Sequence, residues 1–243
     1  MEKPMRQILA LAGTAAFLML LACNAEKFTG YNYDADFFAQ TAHLSGVVQN
    51  RFTGEPVSEA RVQVGTQEAF TAPDGSYTLN YVLTEDDLAG KPTPVRVQAP
   101  NFFSLTSEAQ LFPREITLNF ELEYAAPIIV ATTRAELTYT QAIVFDYQGL
   151  GNIETVMAHF SYFDSATGRT TIELDVPMTL SCTVGDSGYY EYLVAPQHPE
   201  YGTISNLYQI TVRDRDGFST AVTRVNSVFA PDTLLFPVGC GGE

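Results

Sequence analysis

The 243-residue chain carries 46% apolar and 17% charged residues, with 13 Tyr, 16 Phe and no Trp, a supply that closes a sizeable core and excludes a disordered polymer. Its formal net charge of −15 repels a phosphate backbone and argues against DNA or RNA as partner. With three Cys and three His there is little material for a metal cluster, and no cofactor is expected.

Residues 1–22 read as a secretory signal: Lys3 and Arg6 make a basic start, and Ile8 to Leu21 form an apolar run too short to span a bilayer, which takes roughly 20 residues. The run ends in Leu20-Leu21-Ala22-Cys23, which resembles a bacterial lipobox, the site of signal peptidase II. The resemblance implies that Cys23 becomes the first mature residue and carries a diacylglyceryl group, a membrane partner made through lipid chains. Asn24 follows, and an Asp there would have favoured retention in the inner membrane, so the outer membrane is the expected location. Cleavage removes Glu2, Lys3 and Arg6 and leaves 11 basic against 27 acidic residues.

Residues 23–41 form a tether of roughly 60 Å if extended. Tyr31, Tyr33, Phe37 and Phe38 make it too aromatic for a plain linker, and its second half is expected to pack on the adjoining domain.

From Leu44 to Leu122 apolar and polar residues alternate: Val62 and Val64, Tyr77 and Leu79, Val95 and Val97, then Ile116, Leu118 and Phe120. Each run predicts a strand with one buried and one wet face. Thr53-Gly54 and Asp74-Gly75 supply the positive φ that tight turns require. Thr84-Glu85-Asp86-Asp87 predicts a short helix with Thr84 as N-cap and Asp87 closing a capping box, in preference to a calcium-ligand cluster. Gly46-Val47-Val48, Thr53 to Val57, Ala60 to Val64 and Thr71 to Leu79 together resemble the carboxypeptidase regulatory-like domain, a transthyretin-type sandwich. The resemblance spans residues 42–123 and implies an accessory module without catalytic residues.

After the joint Tyr124-Ala125-Ala126-Pro127, strand patterning restarts at Ile128 and continues through Ala142 to Phe145, Val156 to Tyr162, Ile172 to Val176 and Tyr208 to Val212. The spacing of strands and turns in residues 127–243 fits a seven-strand immunoglobulin or fibronectin III sandwich. Val144 to Ile153 and Ile210 to Gly217 resemble segments of bacterial Ig-like envelope domains. Cys182 and Cys240 are an even pair in an oxidising compartment, read as a disulfide with two free thiols as the alternative. The fold class is therefore all-β, two tandem antiparallel sandwiches behind a lipoprotein signal.

Several constellations invite a catalytic reading. Gly185-Asp186-Ser187-Gly188 matches the nucleophile tetrapeptide of chymotrypsin-like proteases, and Thr41-Ala42-His43 faintly echoes their histidine segment. A triad must converge on one site with an oxyanion hole, yet His43 and Ser187 fall in different domains. His159 is expected to face solvent and His198 to lie in a loop; neither has zinc-site spacing. Asp146, Asp186 and Asp214 are weak calcium candidates, because sandwich loops converge at one end. Tyr189, Tyr190 and Tyr192 could stack on sugars, although half-buried packing is the plainer reading. The expected protein is a non-enzymatic envelope lipoprotein that binds an envelope protein or a glycan.

Overall fold

The computed structural model describes residues 40–135, 137–226, 234–237 and 240; the signal, Cys23 and nearly all of the tether lie outside them. The described chain is all-β, with four sheets in two sandwiches. In the first, β1 (Thr41–Asn50) pairs with β4 (Ser76–Val82) on one side and with β7 (Glu115–Thr117) and β8 (Phe120–Leu122) on the other. The facing sheet has the order β3 (Gln67–Phe70), β2 (Arg61–Val64), β5 (Thr93–Gln98), β6 (Leu105–Ala109). The alternation read from the sequence puts Val62, Val64, Val95 and Val97 in the core, each no more than 1% exposed, and Gly54 and Gly75 adopt the left-handed φ of 72° and 75°.

Two expectations need correction. The first sandwich is not wholly antiparallel, since β7 and β8 run parallel to β1. The chain crosses from β6 to the other sheet and enters beside β1 on the edge opposite β4, running in the direction of β1. The run from Ile116 to Phe120 is also broken: Leu118 and Asn119 leave the strand, and Asn119 Oδ1 accepts the Val47 N–H at 3.0 Å. Gly46 permits the crossing, because a Cβ there would lie 1.9 Å from the Leu118 carbonyl oxygen.

Helix α1 (Glu85–Leu88) forms with the expected capping box. Asp87 does more than cap. It is 4% exposed and accepts hydrogen bonds from the Thr84 N–H at 2.7 Å, the Tyr81 hydroxyl at 3.1 Å and the Thr93 hydroxyl. Burial pushes its carboxyl up, but these hydrogen bonds outweigh burial and hold it below the ordinary value.

The second sandwich has a sheet of order β13 (Thr179–Val184), β14 (Ser187–Leu193), β10 (Tyr139–Phe145), β9 (Ile128–Ala135). Its partner has the order β12 (Thr170–Pro177), β11 (Ile153–Phe163), β16 (Gly202–Asp214), with β15 (Gln197–His198) and β17 (Ser219–Val225) sharing the far edge of β16. Among the described residues nine strands stand where seven were expected, and β13 and β17 are edge strands with weak alternation. Ala142, Val144, Phe160, Tyr208, Ile210 and Val212 form the core.

The joint is packed. Ala125 and Ala126 are 0% and 1% exposed, Phe52 stacks on Tyr147 with ring centres 4.1 Å apart, and Phe103 meets Phe218 edge to face at 5.4 Å. The Gln148 side-chain amide donates to the Tyr124 carbonyl at 2.9 Å.

Candidate binding site

His43 and Ser187 stand in different sandwiches. His43 Nδ1 lies 2.7 Å from Asn80 Oδ1 within the first sandwich, while Ser187 opens β14 of the second and pairs with Phe145 and Val184. The tyrosine row is divided between the two faces of β14. Strand alternation turns Tyr190 into the core at 8% exposure, Tyr192 stacks against Phe160, and Tyr189, on the opposite face, packs edge to face on Phe236. They form no exposed platform for a sugar.

Cys182 and Cys240 are joined by a disulfide. The bond ties the chain end to the sheet that Gln141 also grips, its side chain accepting from the Leu235 N–H at 2.9 Å and donating to the Phe236 carbonyl at 2.9 Å. Of the calcium candidates, Asp186 is exposed in the β13–β14 turn. It shares a pocket of about 610 Å³ with Phe52, Tyr147 and Asp146. Asp146 and Asp214 are buried at 1% and 0% exposure. Among the described residues, no group of three or more His, Cys, Asp or Glu could hold a metal ion. Cys23 lies outside the described residues, and among them no helix is long and apolar enough to cross a membrane.

The feature that sequence reading missed lies on the outer face of the β12-β11-β16-β17 sheet. The register aligns Asp175 with His159, His159 with Gln209 and Gln209 with Thr223, a polar row across four strands that spans about 14 Å at the usual strand spacing. His159 Nδ1 lies 2.6 Å from Asp175 Oδ1, and Nε2 lies 2.9 Å from Thr211 Oγ1. A carboxylate only accepts, so Nδ1 carries the proton and Nε2 accepts from the Thr211 hydroxyl in the neutral ring. Gln209 Nε2 donates to Thr223 Oγ1 at 3.2 Å. Beside this row Leu207 and Val225 are 44% and 62% exposed and face each other across β16 and β17. The groove between holds about 290 Å³ and is lined also by Ser161 and Glu173. Its floor is set by the core rings Phe160 and Tyr208, between which Arg134 is buried at 5.6 and 5.3 Å from the ring centres. No sequence signal pairs positions this far apart in the chain.

Thr211, His159 and Asp175 have the connectivity of nucleophile, base and orienting acid. Thr211, however, sits in a strand paired on both sides, where backbone N–H groups are consumed by the ladder and cannot form an oxyanion hole. The arrangement offers fixed donors and acceptors beside an apolar strip, which suits recognition.

No family model matches the chain, and no curated protein matches it. Among solved structures, similarity extends to a chain of the cohesin–X-dockerin complex from Acetivibrio cellulolyticus (15% identity, 32% of this chain and 52% of that one, TM-score 0.25). This chain thus spans about half the length of that cohesin–X-dockerin chain. A Bacteroides uniformis chain whose proposed role is carbohydrate binding is 14% identical over 76% of this chain and 98% of its own, with a TM-score of 0.30. A DUF3823 family protein from Bacteroides ovatus gives 13%, 76%, 98% and 0.31. At these values nothing about function carries across.

Proposed function

We propose that this chain is a non-catalytic lipoprotein of the cell envelope, held in the outer membrane by acylated Cys23, whose second sandwich binds a neutral glycan along the groove of His159. In this reading residues 1–22 are the lipoprotein signal and 23–41 the lipidated Cys and tether. Residues 42–123 are the carboxypeptidase regulatory-like module, and 127–243 are the Ig-like module that carries the ligand. The observation that carries the binding role is the polar row Asp175, His159, Gln209 and Thr223 beside exposed Leu207 and Val225. Hydroxyl groups of a sugar chain match such a row of mixed donors and acceptors, and the C–H face of a sugar ring matches the apolar strip. Glu173 and Asp175 line the groove and disfavour anionic sugars.

Titration calorimetry of the full chain in detergent, after a glycan array has chosen the oligosaccharide, tests this. Binding should weaken at least about tenfold, or 1.4 kcal/mol, in His159→Ala and in Gln209→Ala, with unchanged melting. Silence on the array would overturn the glycan reading in favour of a protein partner. Labelling of Ser187 or Thr211 by a fluorophosphonate probe would overturn the non-catalytic one. An unchanged precursor size under globomycin would overturn the anchor.

A further inference from the structure

Alternation along β10 turns Ala142 and Val144 into the core, and Gln141 and Ile143 to the outer face of the β13-β14-β10-β9 sheet. Across that face Ile143 lies opposite Tyr189, and Tyr189 opposite Cys182. A glutamine so placed is ordinarily wet, yet Gln141 is 0% exposed.

Residues 234–237 cover it. Gln141 Oε1 accepts the Leu235 N–H at 2.9 Å and the Phe236 N–H at 3.4 Å, and Nε2 donates to the Phe236 carbonyl at 2.9 Å. Two consecutive N–H groups reach one oxygen because the backbone bends at Leu235 and Phe236. The Phe236 ring is 7% exposed and meets Tyr189 edge to face, with ring centres 4.9 Å apart, while Leu234 and Leu235 stay outside at 43% and 39%. Pro237 brings no N–H of its own. Its carbonyl accepts the Cys240 N–H at 2.8 Å, in the turn that carries Cys240 to Cys182.

Two properties make this cover exchangeable. The contacts ask only for a bent backbone and one aromatic ring, and Gln141 is satisfied by water once uncovered, so lifting the segment strands no buried polar group. What fixes residues 234–237 is the cross-link, which holds them at high effective concentration against a competing chain. Both cysteines are partly exposed and open to exchange with a dithiol. The two sulfurs of the dithiol pair, while Cys182 and Cys240 take up its two electrons and two protons and become thiols.

We propose that this face is a docking site for a partner protein's peptide turn of aliphatic–aromatic–proline type, its ring seated on Tyr189 and its backbone held by Gln141. Residues 235–237 occupy the site in cis, and the Cys182–Cys240 bond selects between the two occupants. The site lies on the other sheet from the His159 groove and stands independently of glycan binding.

A fluorescent synthetic peptide with the sequence of residues 234–238, titrated into the full chain in detergent and read by polarisation, tests this. Dithiothreitol, or Cys182→Ser with Cys240→Ser, should tighten its binding at least about tenfold over the cross-linked chain, and the peptide carrying Phe236→Ala should not bind. Hydrogen exchange shows whether the sandwich stands in the opened chain: amides of β10 and β14 should stay protected while those of Leu235 and Phe236 are released. Phe236→Ala in the chain itself, with the cross-link kept, avoids that loss of stability and should also admit the unaltered peptide at least about tenfold more tightly. Adding Gln141→Ala should abolish either gain. No binding to the opened chain or to the Phe236 variant would overturn the proposal, as would equal binding to the cross-linked chain. Binding of the altered peptide, or a gain kept without Gln141, would overturn it too.

Discussion

The buried polar side chains of the first sandwich are Asn50, Thr71, Asp87 and Thr93; those of the second include Arg134, Gln141, Asp146, Asp214 and Asn226. In the first they close turns and caps. Thr71, for example, donates to the Val57 carbonyl at 2.6 Å and accepts the Ala60 N–H at 2.8 Å. In the second several grip distant segments: Gln141 holds Leu235 and Phe236, and Arg134 props the floor of the groove between two rings. A sheet pair with an apolar interior is a scaffold whose order is set locally. One with polar groups inside depends on partners far along the chain and fails if any is removed.

That contrast can be broken experimentally. The largest effect is expected from Cys182→Ser with Cys240→Ser. The bond closes a separation of 58 residues, which the chain-entropy account values at about 4 kcal/mol. Urea unfolding followed by hydrogen exchange should assign that loss to β9–β17 and leave the first sandwich protected. Next comes Gly46→Ala. The added Cβ meets the Leu118 carbonyl and should cost about 3 kcal/mol, confined by the same measurement to β1, β7 and β8. Smallest is Asp87→Asn, expected at about 1–2 kcal/mol at neutral pH because donors tuned to a carboxylate lose their acceptor. The folded-state carboxyl sits below its ordinary value of 3.8, so its contribution is full above that pH and is lost as pH falls through the folded value. Stability curves of variant and unaltered chain should converge in acid; a constant gap would refute the hydrogen-bonded carboxylate.

How much was legible depends on how local each cause is. The strands at Arg61–Val64, Ser76–Val82 and Thr93–Gln98 have one wet face, and alternation exposes them. The capping box at Thr84 and Asp87 and the turns at Gly54 and Gly75 are set by neighbours in sequence. Strand β13 was not legible because it is an edge strand half open on both faces, with no alternation to read. The parallel entry of β7 and β8 is a matter of topology. Arg134 was hidden because a basic residue in an apolar strand reads as solvent-facing, and its burial is met from other strands, by the Ser205 carbonyl that accepts from its guanidinium and by the rings of Phe160 and Tyr208. The polar row was hidden for a related reason: Asp175, His159, Gln209 and Thr223 become neighbours only through the register of four strands. Turn spacing named Asp146, Asp186 and Asp214 together, but whether such a loop residue is buried, as Asp146 and Asp214 are, or exposed, as Asp186 is, depends on packing that the turn pattern does not carry.

The seating of β8 beside β1, with Asn50 opposite Leu122, bears on biogenesis. A chain emerging amino end first exposes one flank of its opening strand until the last strand of that sheet arrives, just before Tyr124. The earliest-made of the described strands is thus the last in its sandwich to be covered on both edges. Chaperones that hold an unfinished polypeptide would have a defined edge to guard, and a truncation short of Leu122 would leave that edge bare and prone to self-association.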